Sequence, residues 1–159
     1  MKHSVTEWSL LLLTFSMAAA IGGGLYEHIV LTPLWKKSPP ASFASIQPGT
    51  GVPPQRFWIP VHIGITVFVI SSLVLTWSDL QVRRLILIGL GSYIVMRAWS
   101  GIYFIPEMLK LQKVPLDAPA SAELIKRVQH WTFWSWFREP LDVLSFLCFL
   151  LALHHLKHP

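Results

Sequence analysis

Four long apolar stretches, separated by polar segments of very unequal length, dominate the order of residues along the chain. They predict spans near residues 8–31, 57–77, 85–105 and 130–154, each close to the roughly 20 residues that cross a bilayer as a helix. The link over 78–84 is so short that the second and third spans must be antiparallel neighbours. The links over 33–56 and 107–129 are long. The first of these is rich in Pro, Ser and Gly (Pro39, Pro40, Pro48, Gly49, Gly51, Pro53, Pro54), which predicts turns and extended chain rather than helix. The second carries Pro115 and Pro119 ahead of residues 121–127, read as a short amphipathic lead-in helix. The expected architecture is all-α: an integral membrane, antiparallel four-helix bundle, one domain over residues 1–159, with both long loops on one side.

Composition strengthens this pattern. Hydrophobic residues make up 53% of the 159 residues and charged residues 13%, with a mean hydropathy of +0.51. The net charge of +5 sits at segment ends and in loops, which suggests headgroup contacts rather than nucleic acid. Trp8, Trp35, Trp58, Trp77 and Trp131 lie at segment ends, as in an interfacial aromatic belt. Lys2, His3 and the small residues 18–20 resemble a secretory signal, but the apolar run continues too far, so a retained span is expected. The lone Cys148 excludes an intrachain disulfide and a multi-thiolate metal site. Counts of Lys and Arg in the long and short links conflict with loop length, which leaves orientation open. A bacterial inner membrane is the expected location, and a homo-oligomer remains open.

Polar residues change the picture most where they interrupt the apolar runs. The end of span one, the start of span two, the end of span three and the start of span four fall on the same face of such a bundle. Glu27, His28, His62, Arg97, Glu107, His130, Arg138, Glu139 and Asp142 therefore converge on one leaflet, and ionisable groups inside a membrane mark function by default. Gly23 and Gly24 share a helical face with Glu27 and direct it into the bundle; the alternative is that Glu27 snorkels to the interface. Tyr93, Arg97, Ser100, Phe104 and Glu107, at spacings of four, three, four and three, form one seam. Arg97 lies about 12 Å in from Ile105, and Glu139 about 13 Å in from His130, so the two share a depth. Glu139 or Asp142 can partner Arg97, Arg138 and Asp142 lie one turn apart, and Pro140 frees carbonyls such as that of Trp136. The competing reading is an ion-pair lock between spans three and four with no ligand.

Two or three imidazoles with carboxylates match non-haem iron, copper, manganese or zinc chemistry, which makes Glu27, His28, His62, Glu107 and His130 candidate metal ligands. No local HxxxH or ExxH spacing supports them, and each His could instead anchor a helix end. Haem held by His62 and His130 is a lesser option. Nucleophile-elbow and phosphate-loop signatures are absent, and the half of the bundle toward the short link is too apolar for a channel. A pocket open to one side suits a small hydrophobic molecule.

The run Gly23-Gly24-Leu25-Tyr26-Glu27-His28 leading to Pro33, then Ser38-Pro39-Pro40, Phe57-Trp58 and His62, resembles a bacterial family of small four-span membrane proteins of unknown function. That family is similar to the anthrone oxygenases of polyketide pathways. The resemblance implies a four-helix membrane fold and oxidation of an aromatic or quinone-like substrate. The combined expectation is a membrane oxidoreductase or monooxygenase acting on a small hydrophobic molecule. Arg97 would orient an anionic or enolate oxygen, Glu139 and Asp142 would hold Arg97 and Arg138 or relay protons, and Tyr93, Trp131 and Trp134 would line the pocket. The alternative is a non-enzymatic membrane subunit or a lipid-, quinone- or haem-binding protein.

Overall fold

In a computed structural model that describes residues 2–158, every regular element is helical. The elements are α1 (Lys2–Tyr26), a π-helical turn (Glu27–Leu31), α2 (Thr32–Lys36), a 3-10 turn (Ala41–Ser45), α3 (Gln55–Leu75), α4 (Leu80–Trp99), a second π turn (Ser100–Phe104), α5 (Ile105–Leu111), α6 (Ala122–Ser135), a 3-10 turn (Trp136–Arg138) and α7 (Glu139–Lys157). Among the described residues, three helical segments are long and apolar enough to cross a membrane: Ser4–Lys36, Gln55–Leu75 and Leu80–Leu111. The fourth expected span is not one rod. The chain breaks from α6 into α7 at Trp136–Arg138. Within α7, Glu139, Pro140 and Asp142 at one end and His154, His155 and Lys157 at the other shorten the uninterrupted apolar stretch.

Helix ends account for the other differences from the sequence reading. The segments predicted to stop at residues 31 and 105 continue to Lys36 and Leu111, past Pro33 and Pro106. A proline in a helix offers no N–H and crowds the carbonyl four residues back, here those of Ile29 and Ile102. In both segments the ladder widens by one residue: the Thr32 N–H bonds the Glu27 carbonyl, and the Ile105 N–H bonds the Ser100 carbonyl. Such π turns absorb the crowding without ending the helix. At the short link, Asp79 caps α4 by accepting from the Gln81 and Val82 N–H groups. Ser121 caps α6 at the Leu124 N–H, as the expected lead-in helix requires.

Two apolar clusters hold the chain. The larger joins α1, α3, α4 and α7 through Leu10, Leu13, Met17, Ile65, Val69, Val82, Ile86, Phe149 and Ala152. α3 packs chiefly on α1, and α7 on α1 and α4, whereas α3 and α4, though joined by the short turn, touch little. Small residues stitch the close pairs. Ser9 and Ser72 hydroxyls lie 2.9 Å apart, and Ser145 donates to the Gly89 carbonyl at 3.0 Å. A Cβ on Gly89 would lie 2.7 Å from the Phe149 ring, so only glycine admits this approach. The second cluster (Trp35, Phe43, Phe104, Leu111, Leu124, Val128, Trp131) packs the two long links into a cap. Outside the clusters, large apolar side chains face outward all along α1, α3, α4 and the second π turn, among them Phe15, Val74 and Ile102 at 71%, 69% and 79% exposure.

Candidate functional site

Beneath the cap, where α3 and α4 touch little, lies a cavity of about 890 Å³ lined by both. Its walls are largely apolar (Ile59, Ile63, Val67, Met96, Ile105) and it carries three flat rings, Trp58, Phe104 and Trp131. One part of its lining is polar. There Glu27, His62, Arg97, Arg138, Glu139 and Asp142 come together from five segments. The irregular turns place several of them: Glu27 opens the first π turn, Ser100 opens the second, and Arg138 ends the 3-10 turn before Glu139. The helices thus deviate from α geometry at the level of the polar lining.

Hydrogen-bond partners settle what each group can do. Arg97 Nη1 lies 2.9 Å from His62 Nε2. A guanidinium only donates, so that nitrogen accepts, and neutral His62 carries its proton on Nδ1, 2.8 Å from the Tyr93 hydroxyl. Trp58 stacks on the His62 ring at 5.5 Å and 17°, which fixes its plane. Arg138 lies over the Phe104 ring at 4.2 Å and bonds Ser100 Oγ at 3.3 Å. Among the described residues, neither Arg97 nor Arg138 forms an ion pair with a carboxylate. Glu139 Oε2 and Asp142 Oδ1 are buried and accept no hydrogen bond. Charged groups thus share a lining without closing onto one another, and buried polar groups left this way are costly unless something else satisfies them.

The remaining sequence candidates lie around or away from this lining. His28 is buried directly behind Glu139, with Nε2 3.3 Å from Oε1 and its ring stacked on Trp136 at 4.3 Å. Tyr93 is buried behind His62. Glu107 is drawn toward the cap by Arg127 at 2.6 Å and Lys110 at 3.5 Å. His130 is exposed, edge-on to Tyr103 and Trp134, and Trp134 belongs to this outer aromatic group rather than to the cavity. The five candidate metal ligands therefore scatter, and among the described residues no three His, Cys, Asp or Glu form a metal-binding group. Both ring nitrogens of His62 are engaged, as are those of His28, whose Nδ1 lies 3.4 Å from Ser135 Oγ. The residues as placed fit neither a non-haem metal nor a haem bridging His62 and His130.

Sequence reasoning missed the roles of Gly24, Trp58 and Phe104. A Cβ on Gly24 would overlap the Glu139 carboxylate, so this glycine makes room for the acid rather than for a helix. Gly23 does the same for the Phe57 ring. Comparison with protein-family models, curated proteins and solved structures finds no match to this chain.

Proposed function

We propose that this chain is an integral membrane protein, an antiparallel four-helix bundle. In this reading its cavity binds a small hydrophobic aromatic molecule and performs oxidoreductase or monooxygenase chemistry on it. The outward-facing apolar side chains of α1, α3 and α4 support the membrane placement, since a water-exposed surface rarely carries so continuous an apolar belt. The resemblance of residues 23–62 to the anthrone-oxygenase-like family supplies the oxidative element and the bacterial inner membrane as location.

One observation carries the proposal: half-buried guanidinium groups and carboxylates with buried oxygens line a roomy cavity without forming ion pairs with each other. A charge lock between helices would close such groups into ion pairs, because an unpaired buried charge is strongly destabilising. A binding site keeps them apart until a ligand arrives. Arg97, held by neutral His62, and Arg138, held over Phe104, present donors to an oxygen of the substrate. The carboxylates present acceptors for its hydroxyl or acidic C–H. Removing that proton places negative charge where two fixed guanidinium groups stabilise it most. With dioxygen as oxidant, a CH2 between aromatic rings then becomes C=O and the second oxygen atom leaves as water. No step is routed through a metal.

The test uses the full chain in lipid nanodiscs with anthrone under air, following dioxygen uptake and the quinone chromophore. The expected result is uptake that falls about 100-fold or more in Arg97→Leu, the scale of losing one oxyanion donor. Absence of both uptake and anthrone-dependent quenching of tryptophan fluorescence in the folded, unsubstituted protein would overturn the reading.

A further inference from the structure

The apolar wall of the cavity runs on past the cavity itself. On α3, Ile59, Ile63 and Val67 line it, and Ile70 and Val74 continue the same row at helical spacing. All five are exposed, but Ile70 and Val74 lie beyond the cavity, on the outer surface. Across the gap, Ile105 and Leu109 of α5 line the cavity, while Ile102, one turn earlier, faces outward. On each side, one continuous apolar face passes from cavity wall to outer belt. Because α3 and α4 touch little, the cavity is a cleft rather than a closed chamber. It opens sideways, within segments long and apolar enough to cross a membrane.

The polar lining belongs to other elements. Glu27, Arg138, Glu139 and Asp142 come from the first π turn, the 3-10 turn and α7, and α7 packs on α1 and α4 rather than on α3. Arg97 directs Nη1 to His62, and a guanidinium has further N–H donors for an oxygen in the cavity. From this two-sided lining we infer that the ligand is a tailed amphiphile taken up from the bilayer. Its head is an aromatic ring with hydroxyl or carbonyl oxygens, of the phenol or hydroquinone class, held among Trp58, Phe104 and Trp131 with an oxygen at Arg97. Its alkyl or prenyl tail leaves through the side opening between α3 and α5 into the lipid.

Size and charge narrow the class. At about 890 Å³ the cavity lies toward the top of the roughly 300–1,000 Å³ usual for small-molecule sites, which leaves room for a head and the start of a tail. The row from Ile59 to Val67 is about 12 Å long at 1.5 Å per residue, a track that a chain can follow outward. A phospholipid would bring a phosphate among three acidic side chains, Glu27, Glu139 and Asp142, where like charges repel strongly at low dielectric. A neutral hydroxylated ring instead donates to the acids and accepts from Arg97. The tail gains little by leaving lipid for Ile, Val and Leu, since lipid chains are equally apolar. Its role is delivery: the head reaches the polar lining without crossing water.

The inference rests on the proposed function in taking the cavity as a site for aromatic molecules; anthrone then represents the head alone. The full chain in lipid nanodiscs is photolabelled with methylhydroquinone carrying a dodecyl chain that bears a diazirine near its ring end. The same diazirine chain without the ring measures labelling of any lipid-facing side chain, and mass spectrometry locates both labels. The headed probe is expected to label Ile63, Val67, Ile105 or Leu109 about tenfold or more above the headless one, and excess tail-less methylhydroquinone is expected to remove that surplus. Equal labelling by the two probes, or a surplus that the tail-less head does not compete away, overturns the inference. If anthrone still quenches tryptophan fluorescence in that case, the cavity stands as a site for tail-less molecules; if it does not, the proposed function falls as well.

Discussion

The same four long helices build two unlike halves. Toward the short link they are regular α, packed around Phe149, Ile86, Leu13 and Ile65, all fully buried, with serine hydroxyls bonded across the interfaces. Toward the long links they pass through π and 3-10 turns, enclose a cavity and hold carboxylate oxygens with no partner. The difference teaches where stability and chemistry reside. Close packing in the first half lets the second keep charges apart and backbone off its preferred geometry, a common division at functional sites.

The comparison breaks most visibly if the packed half is opened. Phe149→Ala should cost about 3–5 kcal/mol, the usual range for a buried Phe, read as a shifted unfolding midpoint in detergent. Gly24→Ala should cost less, about 1–3 kcal/mol, because the added methyl overlaps the movable Glu139 carboxylate. It should nevertheless abolish anthrone turnover, a split between stability and activity that Phe149→Ala should not show. Pro106→Ala restores an N–H for the Ile102 carbonyl and lets the second π turn relax toward α. Stability should change by about 1 kcal/mol at most, while tryptophan quenching should report weaker anthrone binding as Ser100 and Phe104 rotate. Lys157→Ala removes a half-exposed ion pair with Glu7 at 2.6 Å and should shift the midpoint by less than about 1 kcal/mol, with turnover unchanged.

Much of this was legible in the sequence. Hydropathy located α1, α3 and α4, and the order of polar interruptions brought Glu27, His62, Arg97, Arg138, Glu139 and Asp142 to the lining of one cavity. Spacing along a helix could not say which side of a ring each nitrogen faces, so His62 and His28 read as free ligands when Arg97, Tyr93, Ser135 and Glu139 occupy them. The ends of two spans differ for another reason. The helices expected to stop at residues 31 and 105 run on through Pro33 and Pro106, and the apolar residues after both (Leu34 and Trp35; Met108 and Leu109) are the signal of continuation through a widened turn. Asp79 starts α4 six residues ahead of the apolar stretch that begins at Leu85, because its side chain caps the polar first turn. The pull of Arg127 on Glu107 depends on the fold of the cap, which no local pattern encodes.

Whether the polar half is a binding site or a charge lock is tested most directly by the unfolding free energy of Arg97→Leu in lipid nanodiscs without ligand. A guanidinium bonded only to a neutral histidine contributes little to holding the helices, so the change should lie within about 1 kcal/mol of the unsubstituted protein. A loss of about 3–5 kcal/mol, the signature of breaking a buried ion pair, would contradict the account.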